Sequence, residues 1–184
     1  MPVYESTKNA DNKIVVSAQS RNSVIFGWDK VVAALAGKVA DGAKTISLDG
    51  WYGVNYEKIA TALAEQIQGE VVLIPAYKLY LSRDEIIAYN QPYVTDDPGF
   101  GKVNTTGVIE DVLNKDAVAA AKEKLASGKV AIIYGVGAAI KEFEAVLDVK
   151  CYIDNTHQKV QWDMWTGKLA SFGSKDPTQK NCCT

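Results

Sequence analysis

The sequence predicts an α/β fold: a doubly wound, mostly parallel sheet with flanking helices. The run EVVLIP at 70–75 is continuous rather than alternating, which is typical of a strand that helices cover on both faces, and the run KTISL at 44–48 is also predicted to be a strand. Amphipathic patterns separate these runs, as at 28–39, where apolar residues recur every three or four positions. Strands that alternate with helices pair in parallel, and such sheets bind ligands at the carboxyl ends of their strands.

The remaining elements follow from the same patterns. We predict a short strand at KIVVS (13–17), a helix from Ile59 to Ile67, a helix at 117–128, and strands in KVAIIY (129–134) and DVKCYID (148–154). A helix is also predicted at QKVQWDMWTG (158–167), although the alternation of Val160, Trp162 and Met164 leaves a strand open.

Two kinds of segment lie outside this regular pattern. The stretch 76–107 is rich in Tyr, Pro, Gly and Asp, and we predict a lid or binding loop with little regular structure. The ends of the chain are polar and without periodicity. We therefore predict a flexible arm at 1–12, a single domain at 13–173 and a loose tail at 174–184.

Composition excludes several classes of protein. The 20 basic and 22 acidic side chains give a net charge of -2 without a block of like charge, so we expect no nucleic-acid partner. There is no apolar run of about 18 residues and no signal-like N-terminus, which predicts a cytoplasmic protein without a membrane partner. One histidine and three cysteines without CxxC spacing predict no metal site.

The most informative motif is TISLDGWYGVNYEKI at 45–59, which lies between a predicted strand and a predicted helix. A Walker loop, G-x-x-x-x-G-K-[ST], occupies the same place in P-loop proteins. Aligned from Gly50, the second glycine becomes Asn55, the lysine becomes Tyr56 and the hydroxyl residue becomes Glu57. The two side chains on which phosphoryl transfer depends are therefore replaced.

Two interpretations of this motif remain open. Backbone amides at the helix N-terminus could still bind a phosphate. Alternatively, Asn55 is an N-cap, Glu57 is an acid in the first turn, and Gly50 and Gly53 permit a tight turn.

The order of several motifs resembles a known family. Leu48, Asp49 and Gly50 resemble the strand ending in Asp-Gly of uridine kinase-like P-loop proteins. More closely, segments at 49–55, 95–98 and 134–138 are similar to the kinase-like N-terminal domain of bacterial mannose-6-phosphate isomerase-like proteins, although Tyr52 stands where that family has Pro. The similarity covers roughly 24–176 and implies a P-loop NTPase (nucleoside kinase)-like fold.

The chain also departs from kinases. Ala76, Tyr77 and Lys78 follow the second main strand, where uridine kinase-like enzymes have acidic residues, so catalytic residues remain unknown. Lys78, Arg83 and Lys102 are either phosphate-binding charges or solvated loop residues. The candidate phosphate- or nucleotide-binding residues are Asp49, Gly50, Trp51, Tyr52, Gly53, Asn55, Tyr56, Lys78, Arg83, Gly135 and Gly137.

Three functional hypotheses follow. The first is a degenerate kinase-like domain that binds a small phosphorylated ligand, or regulates a partner isomerase domain, without transferring phosphate. The second is a structural module that docks on an isomerase (cupin) domain through Trp51, Tyr52 and the lid. The third is an active small-molecule kinase that uses Lys58, Lys78 or Lys102. The candidate cofactor is a nucleotide with Mg²⁺, and any isomerase activity implied by the resemblance would belong to another domain.

Overall fold

The computed structural model describes residues 15–97 and 100–169. Its helices and strands, in chain order, are α1 (Ala18–Asn22), α2 (Trp28–Ala40), β1 (Thr45–Gly50), α3 (Tyr56–Gln66), β2 (Val71–Pro75), α4 (Arg83–Asn90), α5 (Lys115–Leu125), β3 (Val130–Tyr134), β4 (Val149–Ile153) and α6 (His157–Trp165). Short 3-10 segments lie at Ala76–Leu79, Gln91–Tyr93, Ile109–Val112 and Lys141–Val146. No helix within the described ranges is long and apolar enough to cross a bilayer.

The four strands form one sheet in the order β2-β3-β1-β4, and every neighbouring pair is parallel. Within this sheet Ser47 lies beside Ile133 of β3, and Leu48 lies beside Cys151 of β4. The prediction of an α/β fold with a parallel sheet and flanking helices is confirmed. The position of β1 inside the sheet brings the residues that follow it close to both neighbouring strands.

Two hydrophobic cores cover the two faces of the sheet. Ile46 and Leu48 of β1 pack with α2 and α3 in one core, where Val32 and Leu63 are almost fully buried. Ile133 of β3 packs in the other core with α5 and the 3-10 segment Lys141–Val146. Continuous burial on both faces explains the unbroken apolar run of β3, whereas the outermost strand β4 alternates between half-buried and exposed residues.

The amino end of β1 is held by Asp148, which directly precedes β4. The Asp148 carboxylate accepts hydrogen bonds from the amides of Lys44 (2.7 Å) and Thr45 (3.0 Å). The Thr45 hydroxyl donates to the Val146 carbonyl at 2.7 Å. The two amide donors favour the ionised carboxylate and lower the pKa of Asp148. These bonds fix where β1 and β4 begin.

The predicted strand at 13–17 is wrong over its described part. Residues 15–17 form no strand, and Ser17 instead caps α1, because its side chain accepts a hydrogen bond from the Ser20 amide at 3.0 Å. Val15 is 96% exposed, so the apolar run gains no buried surface there. Residues 13–14 lie outside the described ranges, as do the predicted arm at 1–12 and tail at 174–184.

The predicted lid at 76–107 contains more regular structure than expected. Its centre is α4, which begins with a capping box: Ser82 accepts from the Glu85 amide, and the Glu85 carboxylate accepts from the Ser82 amide at 2.8 Å. Ile86 on this helix is buried. The prediction of little regular structure is therefore wrong for 83–90.

The alternative of a strand at 158–167 is also wrong, because α6 is a helix.

Asp148 gives a testable pH dependence. Its folded-state pKa lies below the unfolded value of about 3.9, so the stabilisation is fully present above that value and is lost as pH falls through the folded pKa. We expect Asp148→Asn to lower the melting temperature at pH 7 and to make stability less sensitive to pH below about 4. Thermal melts from neutral pH to pH 3 measure this. Equal pH dependence in the variant and the wild type would contradict it.

Candidate functional site

The site lies where the chain leaves neighbouring strands toward opposite faces of the sheet. The connection after β1 passes through α3 on one face, and the connection after β3 passes through Lys141–Val146 on the other. Because β1 and β3 are adjacent, the turns that follow their carboxyl ends lie side by side, and we call the space between these two turns the crevice. Open α/β sheets bind their ligands at such a switch point.

The side chain of Asp49 fills this crevice with hydrogen bonds to backbone amides. Its Oδ1 accepts from Gly50 at 2.7 Å and from Gly137 at 3.1 Å, and its Oδ2 accepts from Ala139 at 2.8 Å. Converging amides in a turn after a strand form an anion-binding concavity. Here the anion is the protein's own carboxylate.

Tyr56 closes the loop 51–55, which we call the β1 loop. This residue, which aligns with the lysine position of the Walker pattern, is buried and belongs to the same core as β1 and α3. Its hydroxyl donates to the Trp51 carbonyl at 2.8 Å, across the base of the β1 loop. Burial, and next the negative charge of Asp49, raise the pKa of Tyr56, so its hydroxyl stays a neutral donor.

Tyr80 holds the turn after β3 in a similar way. Its hydroxyl donates to the Val136 carbonyl at 2.8 Å, and burial followed by the charge of Asp49 raises its pKa. The buried Tyr56, the half-buried Tyr80 and Asp49 therefore fix the two turns on either side of the crevice. Tyr80 was not among the predicted site residues, because no motif in the sequence connects it with Val136.

Gly50 and Gly53, the two glycines of the segment 45–59, both lie where a side chain would collide with neighbouring atoms. Gly50 has φ +141°, and a Cβ built on it would lie 2.0 Å from the Ile153 carbonyl oxygen of β4. Gly53 has φ +85°, and a Cβ there would lie 2.9 Å from Leu169 and 3.0 Å from Val160 of α6. The Asn155 side chain also donates to the Gly53 carbonyl at 3.3 Å. The last described residues of the chain thus pack against the β1 loop.

The glycines after β3 also sit in close packing. Gly135 has φ +116°, and its Cβ position faces the Ala76 side chain at 3.3 Å. Gly137 is buried with φ +83°, and its Cβ position lies 3.5 Å from the Tyr80 hydroxyl. The positive φ values let this turn present the amides of 137 and 139 to Asp49.

The N-terminus of α3 is satisfied largely by its own residues. Asn55 is the N-cap, as one of the two interpretations of the motif had it, and its side chain accepts from the Lys58 amide at 3.0 Å. The Tyr56 amide donates to the Val54 carbonyl at 3.0 Å. Glu57 is exposed in the first turn, where a carboxylate is favourable for the helix dipole. These contacts support the N-cap interpretation of Asn55 and Glu57.

The other predicted site residues occupy different places. Trp51, the first residue of the β1 loop, is 44% exposed, and its amide donates to the Ile153 carbonyl at 2.8 Å, while Tyr52 is half-buried. Lys78 instead lines a groove between β2 and α5. Arg83 is exposed at the first position of α4. The structure gathers Asp49, the β1 loop and the glycine turn, whereas Lys78 and Arg83 lie on the segment that follows β2.

No cluster of three or more metal-ligating side chains occurs within 15–97 and 100–169. Among known families, a model described as "Domain of unknown function (DUF8485)" matches residues 27–182. This match covers most of the chain, and the chain belongs to that family. Comparison with curated proteins finds no match.

Gly50→Ala should disrupt the site and the sheet together. The added Cβ meets the backbone of Ile153, which cannot rotate away, in a conformation that side chains rarely adopt. We expect a loss of more than about 3 kcal/mol in the free energy of unfolding. Gly128→Ala, at φ +78° with nothing within 4 Å of its Cβ position, isolates the conformational cost. Similar losses for both variants in urea unfolding would refute the contact argument.

Proposed function

We propose that this member of the DUF8485 family is a kinase-like domain that does not transfer phosphoryl groups and instead acts as a regulatory binding domain for a mannose-6-phosphate isomerase-like partner. The observation that carries the proposal is the Asp49 carboxylate, which takes the amides of Gly137 and Ala139 at 3.1 and 2.8 Å. A carboxylate in this position excludes a phosphate from the same amides and repels one nearby.

The charges around the β1 loop support the loss of phosphoryl transfer. That reaction depends on cations placed against the transferred group. Tyr56 supplies a buried neutral hydroxyl, and Glu57 adds an exposed carboxylate at the start of α3. The ammonium of Lys58 lies 5.8 Å from the centre of the Trp28 ring, and Lys78 lines the groove beside α5. These placements give no support to an active kinase.

The architecture supports a P-loop NTPase-like origin as part of the same proposal. An inner parallel strand ends in Asp49 and Gly50, a loop follows, and a helix begins at Tyr56. This is the strand, loop and helix order of a phosphate-binding loop. On this proposal the loop keeps the ancestral layout while its interior is occupied by protein groups.

Exposed aromatic side chains favour docking as the way in which the domain acts. Trp51 is 44% exposed and Tyr152 is 72% exposed, and the Trp51 amide bonds the residue that follows Tyr152. Trp162 and Trp165 are exposed on α6, the helix that packs on the β1 loop. Tryptophan and tyrosine are enriched among residues that dominate binding energy. The proposed partner is the isomerase domain that the resemblance implies.

Ligand titration tests the loss of phosphate binding. We expect no rise in melting temperature with millimolar ATP, UTP, mannose 6-phosphate or inorganic phosphate, with or without Mg²⁺. Asp49→Ala should lose about 2 to 4 kcal/mol because it leaves amides unpaired, and phosphate should restore part of that loss. Asp148→Ala is the control, because it frees the amides of Lys44 and Thr45 at the amino end of β1. Phosphate should not raise the melting temperature of this variant.

A Mg²⁺-dependent shift of the wild type by ATP, or release of ADP, would refute the proposal. Docking is measured separately by sedimentation of the chain with a cupin-type mannose-6-phosphate isomerase. We expect a complex that Trp51→Ala weakens and Trp28→Ala does not, since Trp28 lies on α2. The absence of a complex would remove the docking role but leave the titration result standing.

A further inference from the structure

An open groove of about 330 Å³ lies between β2 and α5, apart from the crevice at Asp49. We propose that this groove binds an extended segment of a partner protein, apolar at its centre and acidic at both ends, which adds a strand to the free edge of β2. This mode of binding is known as strand addition.

The edge of β2 supplies the backbone for such a contact. β2 is the outermost strand of the sheet, and within the described residues it pairs with β3 alone. On the other side of β2, no backbone hydrogen bond to residues 71–75 occurs within the described residues, and residues 72–75 line the groove. Leu73, in the middle of the strand, is 38% exposed. Five strand residues, Val71–Pro75, extend over about 16 Å, enough for a partner segment of similar length.

The wall formed by α5 leaves room for the side chains of a bound strand. The residues of this helix that line the groove are Ala117, Ala120, Ala121 and Lys124. Three of these four have only a methyl group. The floor is apolar, with Val72 and Ile74 of β2 packed into the core below. Alternate side chains of an added strand would point into this space, which favours apolar residues at every second position.

A lysine lies at each end of the groove. Lys78 lines the end near the start of α5, where the Asn114 amide donates to the Leu79 carbonyl at 2.7 Å. Lys124 lines the groove near the end of α5. Beyond that end, Lys129 is already paired with Glu70 at 3.1 Å.

Neither groove lysine forms an ion pair within the described residues. Their charges are therefore available to carboxylates at the two ends of a bound segment. A small amphiphilic acid would satisfy one lysine but would leave the second lysine and the backbone edge of β2 unused. The two separated charges along an open strand edge favour a peptide.

Selection from a phage-displayed library of random decapeptides on the intact chain tests the proposal. We expect enriched peptides to carry acidic residues on both sides of alternating apolar residues. Their dissociation constants should rise about tenfold or more in the Lys78→Glu/Lys124→Glu variant, because two attractive charges become repulsive. The Lys115→Glu/Lys122→Glu variant, changed on the same helix outside the groove lining, should bind as the wild type does.

A second pair of variants tests the groove itself. Ala120→Trp fills it, whereas Ala119→Trp places the same ring on an exposed position outside the lining. Binding should be lost only in Ala120→Trp, with both variants melting like the wild type. The proposal fails if no peptide is enriched, or if binding ignores both Ala120→Trp and the lysine reversals. It also fails if decanoate raises the melting temperature through this groove while no peptide is enriched.

Discussion

The carboxylate of Asp49 is the contact on which the carboxyl edge of the sheet depends. It joins the end of β1 to the amides of Gly137 and Ala139 in the turn after β3. Tyr56 and Tyr80 then donate to the carbonyls of Trp51 and Val136, one in each of the two turns. The switch point is therefore occupied by the protein's own polar groups. Open α/β sheets usually bind their ligands at this place.

Most of the fold could be predicted from the sequence because its signals are local. Apolar runs locate β2 and β3, the short patterns KTISL and DVKCYID locate β1 and β4, and three- to four-residue periodicity locates α2, α3 and α5. The helix α4 was missed although Ser82 and Glu85 have the spacing of a capping box, because the surrounding Pro, Gly and Asp residues favoured a loop. The apolar run at 13–17 led to the wrong prediction of a strand, because local composition does not show whether a neighbouring strand is present to pair with it.

The site could be predicted only in part, because its contacts join distant residues. The motif grouped Asp49, Gly50 and Asn55, and the structure supports the one of its two interpretations in which Asn55 is the N-cap. It could not show that Asp49 bonds Gly137, which is 88 positions away. Nor could it show that Gly50 makes room for the Ile153 carbonyl. Lys78 follows β2, and β3 separates β2 from β1, an order that the sequence does not reveal.

The packing of α6 on the β1 loop also links the loop to the last described part of the chain. Val160 and Leu169 occupy the space beside Gly53, and Asn155 bonds its carbonyl. Movement of the loop at Gly53 would disturb these contacts, so we expect opening of the loop to loosen the packing of α6. The hydrogen-exchange rates of the α6 amides would then reveal whether the β1 loop is open or closed, although these amides lie outside the loop.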